Sequence, residues 1–185
     1  GTLWTWGSST FLGDGSIATN RNYATQMTLP PGMPGVKMIQ ATDNNLELGG
    51  ITRTAYYVLG TDKKVYSLGR NDFGQLGDRT TVNRTSWVNA KNPDDTIITD
   101  AAWISANEHD DNLAGIALIR TNGVIYTAGN NSYYMIGRTT GGDSVYGGIN
   151  YFDIPTGITS SDFITYVETG GHTCALIKQC YSRYG

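Results

Sequence analysis

Short runs in which apolar and polar residues alternate, each closed by a glycine, organise this chain. Leu3-Trp4-Thr5-Trp6-Gly7, Val65-Tyr66-Ser67-Leu68-Gly69 and Ile125-Tyr126-Thr127-Ala128-Gly129 share one order: apolar, aromatic, hydroxyl, apolar, glycine. Alternation with period two puts every second side chain on one face of a strand, and the glycine permits the tight bend that ends it. The glycines are 62 and 60 residues apart, which predicts three imperfect repeats of about sixty residues.

Two further elements recur at fixed offsets. Asn71-Asp72-Phe73-Gly74-Gln75-Leu76-Gly77 is matched by Asn131-Ser132-Tyr133-Tyr134-Met135-Ile136-Gly137, and the first repeat answers only with Ser9-Thr10-Phe11-Leu12-Gly13. Ahead of the glycine strand stand Ala55-Tyr56-Tyr57-Val58-Leu59, Ala114-Gly115-Ile116-Ala117-Leu118 and Gly171-His172-Thr173-Cys174-Ala175-Leu176. Short links such as Arg120-Thr121-Asn122-Gly123 join the two, and Asn-Gly is a hairpin turn signal. Each repeat therefore reads as an apolar strand, a tight turn, a strand ending in glycine, and a glycine-bounded loop leading to strands such as Thr85-Ser86-Trp87-Val88. Four short antiparallel strands per repeat make the blade of a β-propeller. The expected fold is all-β, with about three blades: repeats at 1–62, 63–122 and 123–179, and 180–185 starting a fourth.

Residues 65–77 and Gly170-Gly171-His172-Thr173-Cys174-Ala175-Leu176 resemble the two signature halves of the regulator of chromosome condensation repeat family. The resemblance is clearest at 55–77 and 167–176, and fades through 114–137 to 3–15. It implies a seven-bladed propeller acting as a guanine-nucleotide exchange factor or as an interaction platform. Three blades of such a ring leave two open edges, and unpaired edges invite association. The expectation is a longer native polypeptide, or other chains completing the ring.

Composition narrows the partners. The net charge is −3, and the thirteen Lys and Arg are scattered, which argues against nucleic acid, whose phosphates call for clustered cations. No window approaches the roughly twenty apolar residues of a membrane span, and residues 1–20 lack the basic start and apolar core of a signal peptide, so an export signal would lie outside this chain. Low charge with abundant Gly, Thr, Asn and Tyr suits a rigid surface protein, such as an adhesive or viral fibre domain, and favours an extracellular or virion location.

Two segments occupy matching places in the first two repeats and have no counterpart in the third: Ala41-Thr42-Asp43-Asn44-Asn45-Leu46-Glu47-Leu48-Gly49-Gly50 and Ala106-Asn107-Glu108-His109-Asp110-Asp111-Asn112. Equivalent insertions in a propeller emerge on one face. Asp43, Asn44, Glu47, Glu108, His109, Asp110 and Asp111 are therefore the candidate ligand surface for a protein or glycan. Loops also accept insertions cheaply, so plain surface insertions remain the competing reading. Glu108-His109-Asp110-Asp111 carries oxygen ligands that suit calcium, but its spacing fits no known coordinating loop, and a solvated acidic turn accounts for it.

No catalytic site assembles. The resemblance assigns His172 to bracing neighbouring backbone, the role of a lone buried histidine, and no nucleophile or carboxylate recurs beside it. Cys174 and Cys180 read as two free thiols, since a turn at Lys178-Gln179 sets Cys174 opposite Arg183. Trp4, Trp6, Trp87 and Trp103 stack on sugars if exposed, but at alternating strand positions they are expected to fill the space between blades. Asn83-Arg84-Thr85 and Asn130-Asn131-Ser132 match the glycosylation sequon. Phosphate-binding loops are absent, and no cofactor or metal is expected. The reading is a non-catalytic binding propeller, with exchange on a small GTPase as the alternative.

Overall fold

The computed structural model describes residues 1–7, 10–18, 20–43, 54–109, 113–139 and 148–180. The strands in chain order are β1 (Trp4–Gly7), β2 (Thr10–Phe11), β3 (Ile17–Ala18), β4 (Arg21–Gln26), β5 (Val36–Asp43), β6 (Thr54–Gly60) and β7 (Val65–Gly69). They continue as β8 (Arg84–Asn89), β9 (Ala101–His109), β10 (Leu113–Arg120), β11 (Ile125–Asn130), β12 (Gly148–Asp153), β13 (Ile164–Thr169) and β14 (Cys174–Lys178). β5 to β8 form one antiparallel four-stranded meander, numbered the second sheet after that of β1 and β4, and β9 to β12 form another, the third. β1 pairs with β4, β2 with β3, and β13 with β14.

Register shows which strands correspond. The first and second strands of each sheet slip by one residue at the same point: between Val36 and Met38, between Ala101 and Trp103, and between Ile164 and Tyr166. Such a repeated bulge bends each first strand alike. β13–β14 are thus the first two strands of a sheet. The closing glycine faces the last strand in the same way at Gly7 with Arg21, Gly69 with Arg84 and Gly129 with Ile149, so β1 and β4 are a third and a fourth strand. The sheets are phased half a repeat away from the glycine-to-glycine count, since 63–122 contains the outer half of one sheet and the inner half of the next.

The cores lie between sheets. Along β6 and β7, Tyr57, Leu59 and Val65 point to the following sheet and meet Ile104, Ile116 and Leu118. Tyr56, Val58 and Leu68 point back to Leu3, Phe11 and Met27. Both faces of β6 are covered, which is why its seven residues are buried without interruption. From the third sheet, Ala117, Ile119 and Ile125 meet Ile164 and Val167. Full burial of one such aliphatic side chain stabilises by about 1.5–3 kcal/mol. The first strands approach one another, β5 on β9 and β9 on β13, so the sheets fan out from a common hub.

Backbone latches tie neighbouring sheets. The Ala101 amide donates to the Lys63 carbonyl (2.9 Å) and the Ile164 amide to the Gly123 carbonyl (2.8 Å), so the turn of one sheet caps the first strand of the next. At the rim, the Arg79 amide donates to the Asn150 carbonyl (2.7 Å), and the Arg79 and Arg138 guanidinium groups both lie over the Tyr151 ring.

The tryptophans divide. Trp87 fills the space between sheets as expected, its indole N–H donating to the Thr28 carbonyl (2.8 Å), and Trp103 packs in the next cluster against Tyr166. Trp4 and Trp6 do not: they are 48% and 67% exposed. They sit at the positions of Tyr66 and Leu68, which face back to the preceding sheet, and among the described residues no sheet precedes β1–β4.

Gly7 and Gly69 offer a controlled test. Both have φ near +110° (106° and 110°), but a Cβ on Gly69 would lie 2.1 Å from the Thr54 carbonyl oxygen, whereas one on Gly7 meets nothing within 4 Å. Gly7→Ala is expected to cost the backbone strain alone, about 1–3 kcal/mol. Gly69→Ala adds overpacking of roughly another 1–3 kcal/mol. Urea unfolding of the two variants measures the difference, and equal losses would refute the assignment of close strand approach.

Candidate interaction surface

Register sets which loops share a face. Asp43 pairs with Thr54 and Ala55 with Gly69, so loops 44–53 and 70–83 leave the second sheet at the same end. His109 pairs with Leu113, and Gly129 with Gly115, which puts 110–112 and 131–147 at the corresponding end of the third. Thr169 pairs with Cys174, adding turn 170–173. The ends of neighbouring sheets meet: the Asn107 Nδ2 donates to the Thr169 carbonyl (3.0 Å), and Ser105 and Thr169 hydroxyls are 3.0 Å apart. One face of the fan therefore carries all five connections, and the short turns 61–64 and 121–124 lie on the other.

Asp43 closes β5 on this face, and Glu108 and His109 close β9, so the backbone brings three of the sequence candidates to one side. Asn44, Glu47, Asp110 and Asp111 lie outside the described residues.

Two stretches on this face, 70–83 and 131–139, are braced for a visible reason. Asn71 is fully buried; its Nδ2 donates to Asp78 Oδ1 (2.9 Å) and to the Val82 carbonyl (3.2 Å), and its Oδ1 accepts from the Leu76 amide (2.9 Å). Asp78 in turn accepts from Arg84 Nε (2.9 Å). Arg70 holds Asp72 through two parallel bonds of 2.7 and 2.8 Å. In the third sheet Asn131 repeats the buried brace with Arg138, whose guanidinium donates to the Thr127 carbonyl (3.0 Å). Asn130 is buried too, its Oδ1 accepting from the Ser132 amide (2.6 Å), so this sequon is closed to a glycosyl transfer.

On the Asn131 brace stands a feature that sequence reasoning passed over. Tyr133 and Tyr134 both have positive φ, 55° and 56°, and are 69% and 51% exposed. Tyr134 occupies the place of Gly74, whose φ is +74° and whose Cβ would lie 2.4 Å from Asn150 Cα. The Tyr133 ring stacks on His172, with centroids 6.0 Å apart and planes 6° from parallel. His172 is exposed on turn 170–173, which corrects the expectation of a buried histidine: among the described residues its sheet has only two strands, and no outer loop of that sheet lies over the turn. The signal was the tyrosine at 134 in a motif whose twin has glycine there.

A second open feature is a cleft of about 410 Å³ between β1 and the second sheet, lined by Trp4, Trp6, Ile39, Ala41, Thr42 and Tyr56 among others. Its floor is fastened by a buried bond of 2.8 Å between the Thr5 hydroxyl and the Tyr56 phenol.

The chain matches no family model and no curated protein. Solved structures do resemble it. Prp20p of Saccharomyces cerevisiae superimposes with a TM-score of 0.64 at 17% identity over 98% of this chain. The fold is that of an RCC1-type β-propeller. Yeast RCC1 (Prp20) bound to Kap60 aligns with a TM-score of 0.62 at 18% identity over 96% of this chain, and human WBSCR16 with 0.60 at 16% over 92%. The chain spans 36–40% of the length of these proteins. The strand order is therefore that of a propeller, and within this chain Gly74 and Tyr134 hold the same place in successive sheets, both at positive φ.

Two measurements check this description. Tyr134→Gly removes left-handed strain and is expected to raise stability by about 1 kcal/mol in urea unfolding; destabilisation would refute the strain. Cys174 and Cys180 are both free. Burial, and then the Glu168 carboxylate, push the Cys174 thiol above its ordinary range, so less of it is thiolate at any given pH. At pH 8 iodoacetamide should modify exposed Cys180 well before Cys174, as read by peptide mass mapping.

Proposed function

We propose that this chain is a non-catalytic interaction propeller that recognises a protein partner through the face bearing loops 44–53, 70–83, 110–112, 131–147 and turn 170–173. The observation that carries the reading is the Tyr133–Tyr134 ledge. Two exposed aromatic rings sit in strained backbone on a buried asparagine brace, and such strain persists where it serves a site. Tyrosine is also among the residues that dominate binding energy at protein interfaces. Asp43, Glu108 and His109, at the strand ends of the same face, belong to this reading, together with the sequence candidates Asn44, Glu47, Asp110 and Asp111 that lie outside the described residues. Structural neighbours lend support, since Prp20 has been solved bound to Kap60 and studied for binding to Gsp1p and histones. Fold alone does not carry function, so the weight rests on the ledge.

The test is affinity isolation of partners from the source cells, followed by interferometry on each recovered protein. Tyr133→Ala/Tyr134→Ala should weaken the principal partner at least tenfold, consistent with about 1.4 kcal/mol per decade. Lys63→Ala/Lys64→Ala, on the opposite face, should leave it unchanged. Loss in the lysine variant with retention in the tyrosine variant would overturn the face assignment. Accelerated nucleotide release from a small GTPase would move the reading to an exchange factor. A glycan partner is the second reading, favoured by the flat stacked Tyr133–His172 pair; a glycan array answered by loss in Glu47→Ala and Asp110→Ala would support it.

A further inference from the structure

The bulge that recurs in the first strands leaves one residue of each out of the ladder. The pairing skips Lys37 between Val36 and Met38, Ala102 between Ala101 and Trp103, and Thr165 between Ile164 and Tyr166. These three are counterparts, and the backbone groups of a bulged residue are released from their strand partner. Between the second and third sheets a side chain takes up that freedom. Lys37 crosses the seam, and its Nζ donates to the carbonyl of Ala102 at 3.0 Å.

The next seam has no such side chain. Ala102 stands in the place of Lys37 with a single methyl, and a cleft of about 290 Å³ opens there. Ala102, Trp103 and Ile119 wall it on one side, and Phe163, Ile164 and Thr165 on the other. The walls belong to β9 and β10 and to the entry of β13, so the cleft lies inside a seam of this chain rather than at an open edge. We propose that it binds a primary alkylammonium. The ammonium donates to the Thr165 carbonyl as Lys37 donates to that of Ala102, and a straight stem of about four carbons, the length of a lysine side chain, lies between Trp103 and Phe163.

The lining suits that chemistry. Aliphatic and aromatic walls take a hydrocarbon stem, and aromatic rings in a partly desolvated site attract a cation. Arg120 also lines the cleft, but its charge is already engaged: Nε meets both Asp100 carboxylate oxygens at 2.9 Å, and a terminal nitrogen donates to the Tyr126 hydroxyl at 2.8 Å. The Trp103 indole N–H is buried and finds no acceptor among the described residues, so packing alone holds the ring. Recognition therefore rests on a carbonyl and two rings rather than on an ion pair. The cleft reaches the turn at Thr121 and Gly123, opposite the loop face, so the inference stands apart from the partner proposed there. A free aliphatic amine and a lysine side chain of another protein share the required group.

The test follows the indole N–H signals of the full chain by NMR, with Trp103 assigned through Trp103→Phe. Millimolar n-butylamine at neutral pH should move the Trp103 signal saturably and leave those of Trp4, Trp6 and Trp87 in place. It should bind roughly tenfold more tightly than 1-butanol, the scale of one desolvated cation–π contact. Nα-acetyl-lysine N-methylamide separates the sources: binding at least as tight as that of butylamine assigns the cleft to a protein lysine, and exclusion assigns it to a free amine. Ala102→Lys should place its own stem in the cleft, abolish the butylamine response and raise the Tm, with circular dichroism unchanged. Lys37→Ala is the independent arm: it should lower the Tm, and n-butylamine should recover more of that loss than 1-butanol does. A Trp103 signal that the amine leaves unmoved overturns the proposal. So does equal affinity for the alcohol, or a butylamine response that persists in folded Ala102→Lys.

Discussion

Every sheet in this protein depends on a neighbour. The apolar layers lie between consecutive sheets, with odd residues of β6 facing forward and even ones facing back, so no sheet has a core of its own. A single layer of four strands cannot hide two apolar faces, and the layer beside it supplies what it lacks. The consequence runs through the structure: β6, β7, β10 and β11, with a sheet on each side, are buried nearly throughout, while Trp4, Trp6 and β14 are open. Exposure here reports the position of a strand in the series rather than its chemistry.

The same constraint explains what could be read from the residues alone. The glycine strands, the hairpin ahead of them and the glycine-bounded loop were legible because local geometry dictates them: Gly69 and Gly129 both take φ of 110° against the backbone of the strand beside them. That the two insertions leave corresponding ends of their sheets was legible as well, because equivalent insertions follow equivalent strand ends. The first strands were not. β5 carries Lys37, Gln40 and exposed Ile39 beside the hub, and offers no clean alternation to find. Nor could the pattern separate Trp87 from Trp6. Period two says which side chains share a face, and only the neighbouring sheet decides whether that face is covered.

The candidate site shows the limit from the other direction. Acidic loops drew attention because they were inserted and charged, yet composition carries no geometry. The Tyr133–Tyr134 ledge became visible only through its backbone: two consecutive left-handed tyrosines, on a buried Asn131, where the twin motif uses Gly74. The substitution itself was in plain sight in the aligned repeats. What was missing was the reason for the glycine: a Cβ there would lie 2.4 Å from the Cα of Asn150 in the next sheet.

Tyr134 thus ties the loop face to the open side of the fan. A tyrosine there cannot coexist with a last strand placed as β12 is placed against the second sheet, since its Cβ would meet that strand's backbone. Any strand that does pack against this rim must stand farther off. Farther off, it leaves Tyr133, Tyr134 and His172 as a notch in the loop face for a partner. The strained turn thus sets how closely the next strand can come, and the ledge depends on what stands next to the third sheet.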